Sequence, residues 1–419
     1  MSSSNTRRVV ITGAGLITAV GNSVSATWDN VLSGVSGGST IAAFDPSELA
    51  VRFAAEVKDF DPTDVLDRKE AKRTDRFTQF ALAGTVEAME NAGFGDKAPD
   101  VSPELFGVVT GSGIGGIGTL EQQHRIYLER GPDRVSPFFV PMFIADMAPG
   151  LISMKYGAKG PNYSTQSACA SSAHAIGNAL KLIQRGVADV IISGGAESSV
   201  TPLTMAGFAA MKALSFRNDS PETASRPFDA GRDGFVLGEG CGMVVMEELE
   251  FARSRGAPIM AEIVGYGMTA DAHHMTAPAP EGEGAQRAMR LALQDAGIEP
   301  GEVDYINAHG TSTPLNDLSE TQAIKKVFGD HAEKLAISST KSMTGHTLGA
   351  AGGVEAVVCA LTLKEGKIAP TINFSDADPD CDLDYTFNEM VEKPVRVALS
   401  NSFGFGGHNV CLAFKRWEG

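Results

Sequence analysis

Short β-branched and aliphatic runs alternate along this chain with longer stretches whose apolar positions recur every three or four residues. This is the pattern of strands alternating with amphipathic helices. The runs predict strands at residues 9–12, 107–110, 190–193, 303–307 and 395–399, and the longer stretches predict helices at 76–91, 173–185, 284–295 and 353–364. The strand runs are almost wholly apolar, so the expected class is α/β with buried sheets.

The pattern repeats. A helix ending Ala88-Met89-Glu90-Asn91-Ala92-Gly93 resembles one ending Ala292-Leu293-Gln294-Asp295-Ala296-Gly297. Each leads, through a Pro-containing acidic loop, to a strand that ends in Gly, at 107–113 and 304–310. Cys169 precedes a helix running to Arg185-Gly186, as Gly345-His346 precedes one running to Glu365-Gly366. A duplicated two-half fold accounts for the echo. Its joint is expected in the basic stretch Arg253-Ser254-Arg255-Gly256-Ala257-Pro258, giving halves at 1–256 and 257–419.

The 419 residues exceed one ordinary core. A net charge of −16 argues against nucleic acid and anionic membrane surfaces as partners. Five Cys (169, 241, 359, 381 and 411) have no CxxC spacing, and an odd number without a secretory signal suggests reduced thiols in the cytosol. Arg7-Arg8 before Val9-Val10-Ile11 imitates a short signal peptide, but Thr12, Gly13 and Gly15 make it a first strand entering a turn.

Three motifs invite other readings. Gly113-Ile114-Gly115-Gly116-Ile117-Gly118 fits GxGxxG, with Asp133 where a ribose-binding acid would stand, and Thr12-Gly13-Ala14-Gly15 resembles the opening of a nicotinamide dehydrogenase. None of the six Tyr has a Lys four residues later, so that acid-base pair is missing and a Gly-rich loop is the plainer reading. Gly34-Val35-Ser36-Gly37-Gly38 fits GxSxG, yet no strand leads into it. His273-His274 lacks a metal-ligand spacing.

A better candidate is Ser164-Thr165-Gln166-Ser167-Ala168-Cys169-Ala170-Ser171-Ser172, where one thiol among small residues stands at a helix start. The helix dipole there lowers a thiol pKa toward the thiolate. Taken alone, a buried structural Cys fits as well. Asn307-Ala308-His309-Gly310-Thr311-Ser312-Thr313-Pro314 puts a His at a strand end, where open α/β sheets hold their sites. Ser338-Ser339-Thr340-Lys341-Ser342-Met343-Thr344-Gly345-His346 repeats the arrangement. Asn401-Ser402-Phe403-Gly404-Phe405-Gly406-Gly407-His408-Asn409 reads as a Gly-Phe loop after the strand at 395–399, with amides free to approach a bound group.

In these four segments the chain resembles the β-ketoacyl-acyl-carrier-protein synthases, most closely the synthase II branch of fatty-acid elongation. Further marks are Gly111-Ser112-Gly113-Ile114-Gly115-Gly116, Ser225-Arg226-Pro227-Phe228-Asp229 and Arg232-Asp233-Gly234-Phe235-Val236-Leu237-Gly238-Glu239-Gly240. The resemblance implies a thiolase-like fold of two duplicated halves in five α-β-α-β-α layers, and a cytoplasmic homodimer without metal or organic cofactor. It implies decarboxylative condensation of an acyl chain, held on Cys169, with a malonyl unit on an acyl carrier protein. His309 and His346 then match the decarboxylating pair, supported by Lys341 with Glu355 as acidic neighbour. The amides of Cys169 and Phe405 match the oxyanion hole, with Phe405 also the tunnel gate. Ile114, Phe208 and Phe403 match tunnel lining, and Thr311 and Thr313 match contacts to the phosphopantetheine arm. Lys69, Lys72, Arg73 and Lys212 match carrier-docking positions, with Arg68, Arg76 one turn further along a helix, and Arg217 nearby. Two departures stand out: His408 replaces a common Thr, and Asn316-Asp317 replaces Gly-Asp, which Asn tolerates because it accepts left-handed backbone. Polyketide or long-chain-lipid ketosynthases share this chemistry, whereas a non-catalytic chain-length factor usually lacks the Cys.

Overall fold

The computed structural model describes residues 7–419. Ten strands build the main sheet: β1 Val9–Ile17, β2 Phe106–Gly111, β3 Asn162–Thr165, β4 Val190–Glu197 and β5 Gly240–Glu248, then β6 Ala261–Ala270, β7 Tyr305–Asn307, β8 Ala336–Ser338, β9 Val397–Gly404 and β10 His408–Arg416. Their order is β8-β7-β9-β10-β6-β1-β5-β4-β2-β3. Outward from the middle, one arm reads β1-β5-β4-β2-β3 and the other β6-β10-β9-β7-β8, so adding five converts the first into the second. Strand directions agree as well: two antiparallel pairings, then two parallel ones, in each arm. The arms join only where residues 9–11 pair antiparallel with residues 261–263.

Six helices complete the repeat: α1 Arg76–Asn91, α2 Met147–Tyr156 and α3 Ser171–Gln184, then α4 Glu283–Ala296, α5 Pro314–Phe328 and α6 Ala351–Glu365. α1 and α2 cover the outer face of the first arm, and α4 and α5 that of the second, each pair with its own apolar core. α3 and α6 lie between the arms in one shared core that includes Ile176, Leu180, Val357 and Leu361. Five layers result. Every residue of α6 from Ala351 to Leu363 is buried, because a helix between the two arms has no solvent face.

Thr12-Gly13-Ala14-Gly15, expected to turn, instead lies inside β1. A Cβ on Gly13 would stand 2.0 Å from the Ala88 carbonyl oxygen of α1. The repeat does the same: a Cβ on Gly267 of β6 would stand 2.0 Å from the Ala288 oxygen of α4. These glycines let a helix backbone lie directly on a strand, and that is what the dinucleotide-like motif is for. A second correction concerns the Gly-Phe segment. β9 continues to Gly404, which pairs with His408, so the loop shrinks to Phe405-Gly406-Gly407.

Candidate active site

Cys169 sits in the turn between edge strand β3 and central helix α3. The turn is tight, with Ala168 at φ 51°. Ser171 holds it: its hydroxyl accepts from the Ser167 amide at 2.9 Å and donates to the Ala168 carbonyl at 2.7 Å. His346 occupies the equivalent turn of the second half, between β8 and α6, and His309 follows β7. The pseudo-symmetry of the halves therefore faces the Cys169 turn with the histidine turns.

His346 Nε2 lies 3.0 Å from Cys169 Sγ. One donor atom each of Cys169, His309 and His346 falls within 4.8 Å of the others, and all three residues are buried. The two imidazole rings meet edge to face with centroids 5.3 Å apart. The ring of Phe235 flanks His346 at 5.3 Å, and that of Phe403 flanks His309 at 5.7 Å. Lys341 and Glu355 form a buried ion pair beside them.

The electrostatics follow from burial. Burial, then the Lys341 charge, hold His309 and His346 well below the ordinary imidazole value, so both are neutral. Burial pushes the Glu355 carboxyl up to about 7, with Lys341 acting against the rise. The expected lowering of the Cys169 thiol is not found. Burial pushes it up to about 12, outweighing Lys341 and the backbone amides of Phe405 and Cys169, which favour the thiolate. At rest the site holds a neutral thiol against a neutral imidazole.

A cavity of about 440 Å³ opens onto the trio. Ile114, Phe208, Phe403 and Phe405 line it, as do Thr311 and Thr313, whose hydroxyls are 3.0 Å apart. Lys212 also lines it, whereas Lys69, Lys72 and Arg73 do not. Those three are exposed, in and just after the helix Arg68–Ala71, and the Arg73 guanidinium lies 4.4 Å from the Phe138 ring centroid. Arg76 does not continue that helix. It begins α1 behind the Asp75 cap and is engaged with buried Glu239 at 3.0 Å. Asn316 lies in the first turn of α5, so its replacing Gly needs no left-handed backbone; the positive φ values fall on Gly310 and Ser312.

The other motifs find structural employment. The amides of Gly113 and Ile114 donate to the Glu197 carboxylate, which fills the place a phosphate would need. Gly34-Val35-Ser36-Gly37-Gly38 follows the helix Val24–Leu32 as a turn, and His273 and His274 are exposed. Glu320 escaped the sequence reading, and Asp317 entered it only as the neighbour of Asn316. Glu320 accepts from the amides of His309 at 2.9 Å and Gly310 at 2.8 Å, and burial pushes it up to about 7. Asp317, one turn earlier, accepts from the Phe228 and Ser312 amides and lies 3.8 Å from Arg232. Two acids a turn apart on the helix directly after a candidate His turn were the signal available.

Residues 6–252 match the family model "Beta-ketoacyl synthase, N-terminal domain", and residues 260–375 match "Beta-ketoacyl synthase, C-terminal domain". A 3-oxoacyl-[acyl-carrier-protein] synthase 2 of Synechocystis sp. is 53% identical over 418 residues, covering 100% of both chains. One of Staphylococcus aureus is 54% identical over 99% of this chain and 100% of its own. Among solved structures, a β-ketoacyl synthase from Burkholderia phymatum superposes with a TM-score of 0.90 at 37% identity, covering 98% of this chain and 100% of its own. A type II polyketide ketosynthase in complex with its acyl-carrier protein gives 0.91 at 34% identity, covering 99% and 100%.

Proposed function

This chain belongs to the β-ketoacyl synthase family, and from that premise we propose how its residues carry the reaction. It is a 3-oxoacyl-acyl-carrier-protein synthase of the type-2 branch, an acyltransferase of fatty-acid elongation. The observation that supports the assignment of roles is the 3.0 Å approach of His346 Nε2 to Cys169 Sγ, with His309 beside them.

In the first step the Cys169 sulfur attacks the thioester carbonyl of an acyl carrier. The new C–S bond forms as the old one breaks, and the thiol proton leaves on the departing pantetheine sulfur. His346 keeps its Nε2–H through this step and turns it toward the Cys169 sulfur, 3.0 Å away. In the second step the malonyl thioester oxygen lies against the Nε2–H groups of His309 and His346. The bond to the carboxylate breaks, carbon dioxide departs, and its electron pair becomes an enolate stabilised by those donors. The enolate carbon attacks the acyl carbonyl on Cys169, whose oxygen is received by the amides of Cys169 and Phe405. The C–S bond breaks, and the thiolate takes up a proton from water. Burial, helped by the charge of Lys341 in its pair with Glu355, keeps both imidazoles neutral, so each donates only from the nitrogen that carries its single N–H. The chemistry asks for no cofactor.

Acyl carrier protein is the partner, and we place its docking at Lys212 by the cavity mouth with Lys69, Lys72 and Arg73 further out. A homodimer is supported by edge strand β3, whose Asn162 and Tyr163 are exposed, and by exposed Met154 on α2, which packs against that strand. We read the division of the halves at 256 and 257, and the setting as cytoplasmic. Among the described residues no helix is long and apolar enough to cross a membrane.

The test is condensation of malonyl carrier with a ladder of acyl carriers, products read by mass. Cys169→Ala should abolish product, and in the parent the acyl mass should sit on Cys169. Acyl label on Cys241 or Cys359 would overturn the assignment.

A further inference from the structure

Glu197 is the last residue of β4 and is wholly buried, yet the condensation chemistry does not use it. Its carboxylate gathers donors from three segments. Oε2 accepts from the amide of Gly113 at 2.6 Å and of Gly349 at 3.1 Å. Oε1 accepts from the Ile114 amide at 3.3 Å, the Ser199 hydroxyl at 3.0 Å and the Ser112 hydroxyl at 3.4 Å. Gly113 and Ile114 belong to the loop after β2, in the first half. Gly349 belongs to the second half, three residues after His346.

The two loops meet on this carboxylate with no room to spare. A Cβ on Gly349 would stand 2.0 Å from the Gly113 nitrogen and 2.7 Å from Glu197 Oε2, and one on Gly113 would stand 2.8 Å from Oε2. Both joined loops border the reaction space: Gly113 and Ile114 on one and His346 and Leu348 on the other line one cavity together with Cys169. The Glu197 charge also disfavours the thiolate of Cys169, behind burial itself. In the duplicated topology, the end of β4 corresponds to the end of β9, where the Phe405 loop begins.

We propose that Glu197 is a positioning residue for condensation: its carboxylate clamps the tunnel wall at Ile114 to the turn behind His346, and so fixes wall, nucleophile and imidazole relative to one another. This rests on the reading of Cys169 and the cavity given above. A carboxylate suits the task because it accepts several hydrogen bonds at once, and those from amides to a charged acceptor are stronger than neutral ones. A carboxamide in its place would turn one NH2 group toward amides that need an acceptor. Because the clamp holds the wall beside the alkyl chain, its loss should tell more on long acyl groups than on short ones.

The experiment compares the parent with Glu197→Gln and Glu197→Asp. It measures acylation of Cys169 by a short and a long acyl carrier, the pH profile of Cys169 alkylation by iodoacetamide, and the melting temperature. Glu197→Gln should lose about tenfold in long-chain acylation relative to short-chain, the order expected for a small misplacement near reacting groups. Its alkylation profile should move to lower pH, since a nearby negative charge is gone. Glu197→Asp keeps the charge but reaches less far, so its long-chain acylation should fall while its profile stays near that of the parent. A merely structural role would lower the melting temperature and leave the chain-length ratio and the profile unmoved. Should Glu197→Gln not fold, an Asp variant with the parental chain-length ratio suffices to overturn the proposal. An unacylated Cys169 in the parent would instead overturn the reading of the nucleophile.

Discussion

His309 and His346 share their buried space with Lys341, and burial and the lysine charge act in the same direction. Each imidazole is kept from protonation, so in the proposed reaction Nε2–H is a neutral donor where an enolate oxygen develops. The pH dependence follows. Malonyl decarboxylation should hold its rate as pH falls through the ordinary imidazole value of 6.5, and decline only well below it. An acid limb centred at 6.5 that is not due to Glu355 or Glu320, whose carboxyls burial pushes up to about 7, would show that the two imidazoles titrate at their ordinary value. His309→Ala or His346→Ala should slow decarboxylation by about 10²-fold or more, the usual contribution of one positioned proton donor. Acylation of Cys169 should survive in at least one of them. Stability has a matching sign. The unfolded chain binds protons to these imidazoles that the folded chain refuses, so their contribution to stability rises with pH toward 6.5 and then levels off, against the opposite trend from the raised carboxyls of Glu320 and Glu355. Replacing both by Asn should flatten that slope in denaturation measured across pH.

The glycines of β1 and β6 act on whole elements. Gly13 and Gly267 are where α1 and α4 press their backbones onto the sheet. A methyl group at either position meets a carbonyl oxygen of a fully packed helix, which has little freedom to withdraw. Gly13→Ala and Gly267→Ala should each cost roughly 1–3 kcal/mol or more by overpacking, seen as a lower denaturant midpoint. Gly301→Ala, where a Cβ would meet nothing within 4 Å, is the control. Parental stability in both buried variants would mean that the helices can retreat. The expectation from the sequence that these glycines made a turn failed for a definite reason: β1 is paired on both sides at residues 9–11 and on one side through Ile17, and the ladder carries the chain on through them past a bulge at Thr12.

On the scale of the whole molecule, a chain of net charge −16 must meet an acidic carrier, so encounter depends on local cations. Reversing Lys69, Lys72 and Arg73 to Glu should raise the KM for carrier-bound acyl groups several-fold, with an acyl-pantetheine thioester almost unaffected. Added salt should weaken carrier use in the parent in the same way. Equal losses on both substrates would point to damage in the fold instead. The open edge of the sheet at β3 belongs to the same scale. An exposed strand edge flanked by apolar side chains invites pairing with a second copy. The protein should sediment as a dimer, and Tyr163→Asp, which puts a charge on that edge, should shift it toward monomer. A monomeric parent would remove the homodimer.

Much of this protein was legible along the chain because its information is local. Apolar periodicity marked the helices of the two halves, small residues at strand ends marked the Cys169, His309 and His346 turns, and the echo of 88–93 in 292–297 marked the duplication. The pairing of Cys169 with His346 was of another kind, for 177 residues separate them. Only the stacking of two like arms on α3 and α6 brings their turns together at 3.0 Å. The state of the thiol was likewise decided in three dimensions. The local cue, a helix start, favours the thiolate, but desolvation at the junction of the halves outweighs it. For the same reason the acids that hold the site in place, Glu197 and Glu320, look like surface charges in the sequence. Burial against amides from distant loops is what makes them structural, and no periodicity along the chain records which amides those are.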